Sequence, residues 1–141
     1  MPFHIQGDVQ ITRIILSGQF TLAEISDLGR ELERVEAGFE KIPDRLTDLS
    51  AIENSGFDYP TLERLSAEHR DRAYRNRFRS AIVAPRPLDF GLARIFQTLS
   101  SNPMVDLQIF RTQAEAEAWL APSPGKTEVA RPSSAVPQPR T

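Results

Sequence analysis

The densest group of side chains able to bind a ligand is a run of arginines in the middle of the chain. Five fall within ten residues: Arg70, Arg72, Arg75, Arg77 and Arg79. The planar guanidinium group pairs well with phosphate and carboxylate, so this run, Arg75 and Arg77 above all, indicates an anionic ligand or an acidic partner. The alternative interpretation is that these cations complement the negative end of a predicted helix and are otherwise solvated. The sequence leaves both interpretations open.

A second set of candidates follows from where predicted strands end. Ser50, Ser55, Arg86 and Arg94 all lie near the junction between a strand and the following helix. In sheets of parallel strands, ligands bind at the carboxyl edge, beside helix N-termini. These four residues therefore form a predicted anion-binding pocket. The alternative is structural, with the Arg94 stem on the sheet and its head paired to Asp48 or Asp89.

The sequence offers little catalytic chemistry. There are two histidines, His4 and His69, and neither has a nucleophile or a metal-ligand partner at helical spacing. There are no cysteines, which excludes disulfides and thiolate catalysis. We expect no enzymatic activity, no metal and no cofactor.

Charge and hydropathy narrow the class of partner. The last twenty residues carry three basic residues and one acidic residue, so the net charge of −2 for the whole chain leaves −4 on residues 1–121. A mildly acidic domain is a poor binder of nucleic acid. The sequence has no long apolar run and no secretion signal, so we expect a cytoplasmic protein without a membrane span.

Opposite charges are segregated along the chain. Residues 24–48 contain eight acids and four basic residues, in contrast to the arginine run at 70–79. Complementary surfaces of this kind indicate a homodimer, although such patterning also marks ordinary solvated faces. The C-terminal segment 122–141 is rich in proline and has no apolar periodicity, which predicts a disordered tail after a domain spanning residues 1–121.

Strand-like and helix-like segments alternate before the tail. The patterns predict four helices, the first carrying Leu22, Ile25, Leu28, Leu32 and Val35 on one face and the third capped by Asp89. The order is β-β-α-β-α-β-α-β-α, which predicts an α/β fold with a mostly parallel sheet. The predicted strands are Phe3–Gln6, Val9–Leu16, Arg45–Leu49, Phe78–Ala84 and Met104–Phe110.

This order, together with FGLARIF at Phe90–Phe96 and with Phe110, Ala114 and Ala118–Leu120, resembles the SpoIIAA-like fold of STAS-type anti-sigma-factor antagonists. It is most similar to the small bacterial proteins grouped as STAS/CRAL-TRIO-like. The resemblance covers roughly residues 3–121. It implies a regulatory module that acts through a protein partner or a second copy.

The resemblance also implies a phosphorylation site. In STAS-type antagonists a strand ends in an Asp-Ser-Ser-Gly loop whose first serine is phosphorylated. Matching Gly56 to that glycine puts Asn54 at the acceptor position and Ser55 at the second serine. Ser55, or Ser50 upstream, is then the candidate acceptor, and the alternative is that Asn54-Ser55-Gly56 is only a turn.

A further implication of the CRAL-TRIO-like resemblance is a small apolar or anionic ligand held between the sheet and the helices. Phe57, Tyr59, Phe90 and Phe96 are the aromatic side chains expected to line such a cavity. Their alternative role is to fill an ordinary core. We expect a non-enzymatic binding or regulatory module, with a ligand carrier or sensor as the alternative.

Overall fold

Five strands form one sheet, and they lie side by side in the order in which they occur along the chain. A computed structural model describes residues 3–19, 22–54 and 59–121. The first two strands are antiparallel, and the other three neighbouring pairs are parallel. This confirms the predicted α/β class and the order of its elements. The elements are β1 (Phe3–Gly7), β2 (Ile11–Gln19), α1 (Leu22–Glu36), β3 (Asp44–Asn54), α2 (Tyr59–Arg70), β4 (Phe78–Val83), α3 (Pro87–Leu99), β5 (Val105–Phe110) and α4 (Gln113–Leu120).

The two faces of the sheet are covered differently. On one face α4 packs on β3, β4 and β5, where Ala116 and Leu120 contact Leu46, Ala81 and Val83 in a filled apolar cluster. The other face is covered by α1, α2 and α3. Alternate residues along β3 point to opposite faces, as the period of a strand requires. None of the helices in the described ranges is long and apolar enough to span a membrane.

Several predicted boundaries are wrong, and three of them have a clear physical reason. Strand β2 begins at Ile11 instead of Val9, because the Asp8 carboxylate accepts hydrogen bonds from the Gln10 and Ile11 amides at 2.8 and 2.9 Å and forms a turn. Strand β3 continues to Asn54 because its distal half still pairs with β2 beyond a register shift. Helix α3 begins at Pro87, where proline suits the first turn.

A buried ion pair joins the end of α1 to the start of β3. The Glu36 carboxylate accepts hydrogen bonds from Arg45 Nε at 2.7 Å and Arg45 Nη2 at 2.8 Å. Both residues are almost fully buried, at 5% and 6% exposure. The Arg45 guanidinium also lies over the rings of Phe78 and Tyr74, at 4.7 and 5.4 Å from their centroids. This pair fixes the C-terminal end of α1 against the sheet.

We expect Arg45→Met to lower the free energy of unfolding by about 3–5 kcal/mol, because it leaves the Glu36 carboxylate buried without a partner. Urea denaturation measures this loss. The double variant Arg45→Met/Glu36→Leu removes both charges and should recover most of the stability. Arg34→Met, which breaks an exposed pair with Glu31 on the same helix, is the matched control and should have little effect. Equal losses in the single and double variants would contradict the prediction.

Candidate ligand-binding cavity

An apolar cavity of about 230 Å³ lies between the sheet and helices α1, α2 and α3. Its walls come from β2, β3 and β4 on one side and from all three helices on the other. Most of the lining is aliphatic, including Ile14, Leu16, Leu49, Ile52 and Leu62. A concave, mostly apolar space of this kind is typical of small-molecule binding sites.

A glycine on the inner face of α1 is part of the cavity lining. Ile25, Leu28, Gly29 and Leu32 all line the cavity, and their spacing of three and four residues places them on one face of the helix. A Cβ atom added at Gly29 would meet nothing within 4 Å. Glycine in the middle of a helix also costs about 0.5–1 kcal/mol relative to alanine. The chain therefore gives up helix stability at the position where a side chain would fill the void.

The cavity opens between α1 and α2. A groove between these helices shares Ile25, Leu65 and Glu68 with the cavity lining. Arg72, which follows α2, lies 3.9 Å from Glu33 of α1 and so spans the two sides of the opening. The opening thus has an apolar interior and a charged rim.

Most of the polar groups of the lining lie at the amino-terminal end of the parallel strands, and an exception is Asp89, which lies at the carboxyl edge and accepts a hydrogen bond from Arg86. Two of the groups at the amino-terminal end are Arg45 on β3 and Ser80 on β4, which are paired neighbours in the sheet. Burial lowers the pKa of Arg45, but the hydrogen bonds and charge of Glu36 outweigh burial and hold the pKa above its ordinary value. The positive charge is thus retained and already neutralised by Glu36.

His69, at the end of α2, is the most strongly perturbed group of the lining. The pKa of His69 is lowered from 6.5 to about 4, chiefly by burial. The hydrogen bond to Ser100 raises the pKa, and the positive charges of Arg45 and Arg72 lower it. Its Nδ1 lies 3.3 Å from the Ser100 carbonyl oxygen. Because a carbonyl can only accept, Nδ1 carries the proton and donates it there. The imidazole is therefore neutral near pH 7, and its Nε2 is a hydrogen-bond acceptor.

Three of the four residues of the predicted pocket at the carboxyl edge lie in the described part of the chain. Ser50 lies within β3 and is exposed, with its amide and hydroxyl donating to Asp48 Oδ1 at 2.9 and 2.6 Å. Ser55 lies outside the described residues. Arg86 Nε donates to Asp89 Oδ2 at 2.7 Å, whereas Arg94 is exposed on the outer face of α3. Neither arginine lines the cavity.

The arginine run is mostly engaged by the chain's own groups. Arg75 donates to the carbonyl oxygens of Glu36, Phe39 and Glu40 at 2.8, 2.7 and 3.3 Å, and so caps the C-terminal end of α1. Arg79 binds Asp44 and the backbone at the end of α4. Arg77 is exposed just before β4. Anion binding at Arg75 would have to displace three hydrogen bonds.

Of the four aromatic side chains expected to line a cavity, one does so among the residues that the structure describes. Phe96 lines it, and its ring packs edge-on against His69 at 5.4 Å. Tyr59 is 55% exposed. Phe90 lies under the Arg111 guanidinium at 4.0 Å and is not part of the lining. Phe57 lies outside the described residues.

Sequence reasoning missed Gly29, Arg45 and His69 as members of one site. Gly29 was detectable, since a glycine four residues after Ile25 interrupts the apolar face of an otherwise regular helix. Arg45 and His69 gave no such signal, because their chemistry depends on burial and on partners that are distant in sequence.

No protein-family model matches the chain, and no curated protein matches it. Its structure is similar to that of an uncharacterised DUF3478-family protein with a SpoIIAA-like fold from Shewanella loihica PV-4, with 17% sequence identity, a TM-score of 0.55, and coverage of 84% of this chain and 92% of that chain. It is also similar to an anti-sigma factor antagonist from Mycobacterium paratuberculosis, with 18% identity, a TM-score of 0.53 and the same coverage. The chain therefore has a SpoIIAA-like fold, as its sequence predicted.

The lowered pKa of His69 predicts a specific dependence of stability on pH. In the unfolded state His69 has its ordinary pKa of 6.5, whereas in the folded state its pKa is about 4. Between these two values the unfolded state binds a proton that the folded state does not. The free energy of unfolding therefore falls as the pH drops from 6.5 toward 4. Between about pH 7.5 and 5 the loss from this residue is about 2 kcal/mol. Urea unfolding at the two pH values measures it.

His69→Phe, which keeps a ring against Phe96, should remove this part of the pH dependence. His4→Phe, on the exposed side of β1, retains His69 and should keep it. The assignment is refuted if the His69→Phe variant keeps the wild-type slope.

Proposed function

We propose that this protein is a non-enzymatic binding module of the STAS type that holds a small, largely apolar molecule between its sheet and helices α1–α3. The observation that carries the proposal is the 230 Å³ cavity beside a glycine on the inner face of α1. A cavity of about 150 Å³ lined by aliphatic side chains is enough to bind benzene. The space here therefore suits a ligand of roughly ten non-hydrogen atoms.

Burial of the apolar lining supports a ligand over a water-filled cavity. A molecule that fills the space removes this lining from water, which is favourable by roughly 25 cal/mol per Å² of apolar surface. By mass action it stabilises the folded state further as its concentration rises.

A protein partner is the second candidate function. The observation that favours it is the fold shared with an anti-sigma factor antagonist. Phosphorylation of Ser55 or Ser50 would then be the switch. The hydroxyl of Ser50 is accessible to a kinase, although its hydrogen bond to Asp48 would first have to break. A homodimer is the simplest form of such a partner.

The two candidates differ in what the protein carries when it is isolated. A native mass spectrum of protein purified gently from the cells that produce it distinguishes them. An added mass of one to a few hundred daltons that is lost on activation supports the ligand. A bare protein that forms a dimer or a complex favours the protein partner.

The cavity itself is tested by a matched pair of glycine variants. We expect Gly29→Leu to weaken binding of naphthalene, an uncharged probe of ten carbons, at least tenfold, because the new side chain occupies the space the probe needs. Gly91→Leu is the control: Gly91 also lies inside a helix with nothing within 4 Å of an added Cβ, but it does not line the cavity. Both variants should gain helix stability, so folding does not confound the comparison.

Titration followed by amide chemical shifts measures both affinity and location. Equal affinity in the two variants, or shifts that fall on the α4 face of the sheet, would place the probe elsewhere and refute the proposal.

A further inference from the structure

The two ends of the cavity differ in polarity, one being mostly polar and the other mostly apolar. Helices α1 and α2 run back from the carboxyl edge of the sheet, so their last turns lie at the amino-terminal end of the strands. His69, Ser80 and Tyr74 line the cavity there, whereas Leu16, Leu49 and Ile52 line it toward the carboxyl edge. A ligand with one polar group would be oriented by this difference.

The polar end offers hydrogen bonds but little uncompensated charge. At the amino-terminal end Arg45 is paired with Glu36 through two hydrogen bonds of 2.7 and 2.8 Å, and Arg72 has the Glu33 carboxylate 3.9 Å away. A charged ligand group buried here would lose its hydration without gaining an unpaired counter-ion. Uncharged polar groups avoid this penalty.

The His69 ring supplies an acceptor that lacks a donor. Nδ1 donates to the Ser100 carbonyl oxygen, and none of the hydrogen bonds among the described residues involves Nε2. The buried atoms without a partner in the described residues are Thr12 Oγ1 and Ser100 Oγ, so Nε2 is accessible to solvent, and a ligand would replace water there. The ring is held in place by Phe96 and Tyr74, with centroids 5.4 and 5.8 Å away. A fixed neutral imidazole of this tautomer accepts a hydrogen bond from a ligand that carries a donor. Ser80, 6% exposed, lies beside Arg45 in the sheet and also lines the cavity.

We infer that the ligand is an uncharged apolar molecule bearing a hydroxyl group, bound with that hydroxyl donating to His69 Nε2 and its apolar body toward Leu49 and Ile52. This rests on the cavity proposed above and adds the chemical class and the orientation of what fills it. An aromatic or short branched alcohol of roughly ten non-hydrogen atoms meets both requirements.

Three probes of nearly equal shape test the inference: naphthalene, 2-naphthol and 2-naphthoate. At pH 7.5 the first lacks a donor, the second carries an uncharged hydroxyl, and the third carries a carboxylate. One neutral hydrogen bond predicts that 2-naphthol binds about three- to tenfold more tightly than naphthalene. We expect 2-naphthoate to bind more weakly than both.

His69→Phe should bring the affinity ratio of 2-naphthol to naphthalene close to one, and His4→Phe should leave it unchanged. A second test uses the wild-type protein, so it does not require the His69→Phe variant to fold. The Nε2 nitrogen shift of His69, observed through its ring protons, should move on addition of 2-naphthol and stay in place with naphthalene.

The outcomes separate the inference from the proposed function. If naphthalene and 2-naphthol bind equally, or 2-naphthoate binds most tightly, the hydroxyl assignment is wrong while the cavity proposal stands. If none of the three binds, both are wrong. Tighter binding of 2-naphthol with no change at His69 Nε2 would also overturn the inference.

Discussion

The ion pair between Glu36 and Arg45 determines where α1 lies, and the position of α1 determines whether there is a cavity. The pair is bidentate and buried, so it tolerates little displacement. Arg75 strengthens the same junction by donating to three carbonyl oxygens at the end of the helix. The C-terminal turn of α1 is therefore anchored, and the turns before it cannot move onto the sheet without straining this junction. The space beside Gly29 persists because the helix cannot collapse into it.

The two faces of the sheet show how a fold can combine stability with a binding site. On the α4 face the core is filled, and Arg79 ties β4 to Asp44 and to the end of α4. Arg13 adds an ion pair to Glu117 at 2.8 Å. The opposite face leaves a void under α1. Because the first face is well packed, the loss of packing on the second does not prevent the sheet from forming.

The sequence predicted the fold well, because apolar periodicity and proline positions act locally. Helix α4, for example, begins at Gln113, directly after the N-cap Thr112, whose Oγ1 accepts a hydrogen bond from the Glu115 amide at 3.2 Å. Strand β3 was predicted too short, since its second half is stabilised by pairing with β2 across a register shift. Pairing between distant segments is not visible in local composition.

The site was harder to predict for the same physical reason. The prediction placed binding groups at the carboxyl edge, as is general for parallel sheets. Most polar groups of the proposed cavity lie at the amino-terminal end, where α2 ends and β4 begins, and Asp89 lies at the carboxyl edge. Arg45 resembles any surface arginine in the sequence and becomes distinctive only when it is buried with Glu36. The arginine run drew attention because arginines are conspicuous, yet three of its members, Arg70, Arg75 and Arg79, donate to backbone carbonyl oxygens of the chain itself.

A ligand and a protein partner are compatible functions on this fold. A molecule in the cavity would contact three helices at once and would stabilise the arrangement of those helices that it fits. If a partner recognised the same helices, the two binding events would be coupled, and the coupling would act equally in both directions. A small molecule could thereby control a surface that it does not touch.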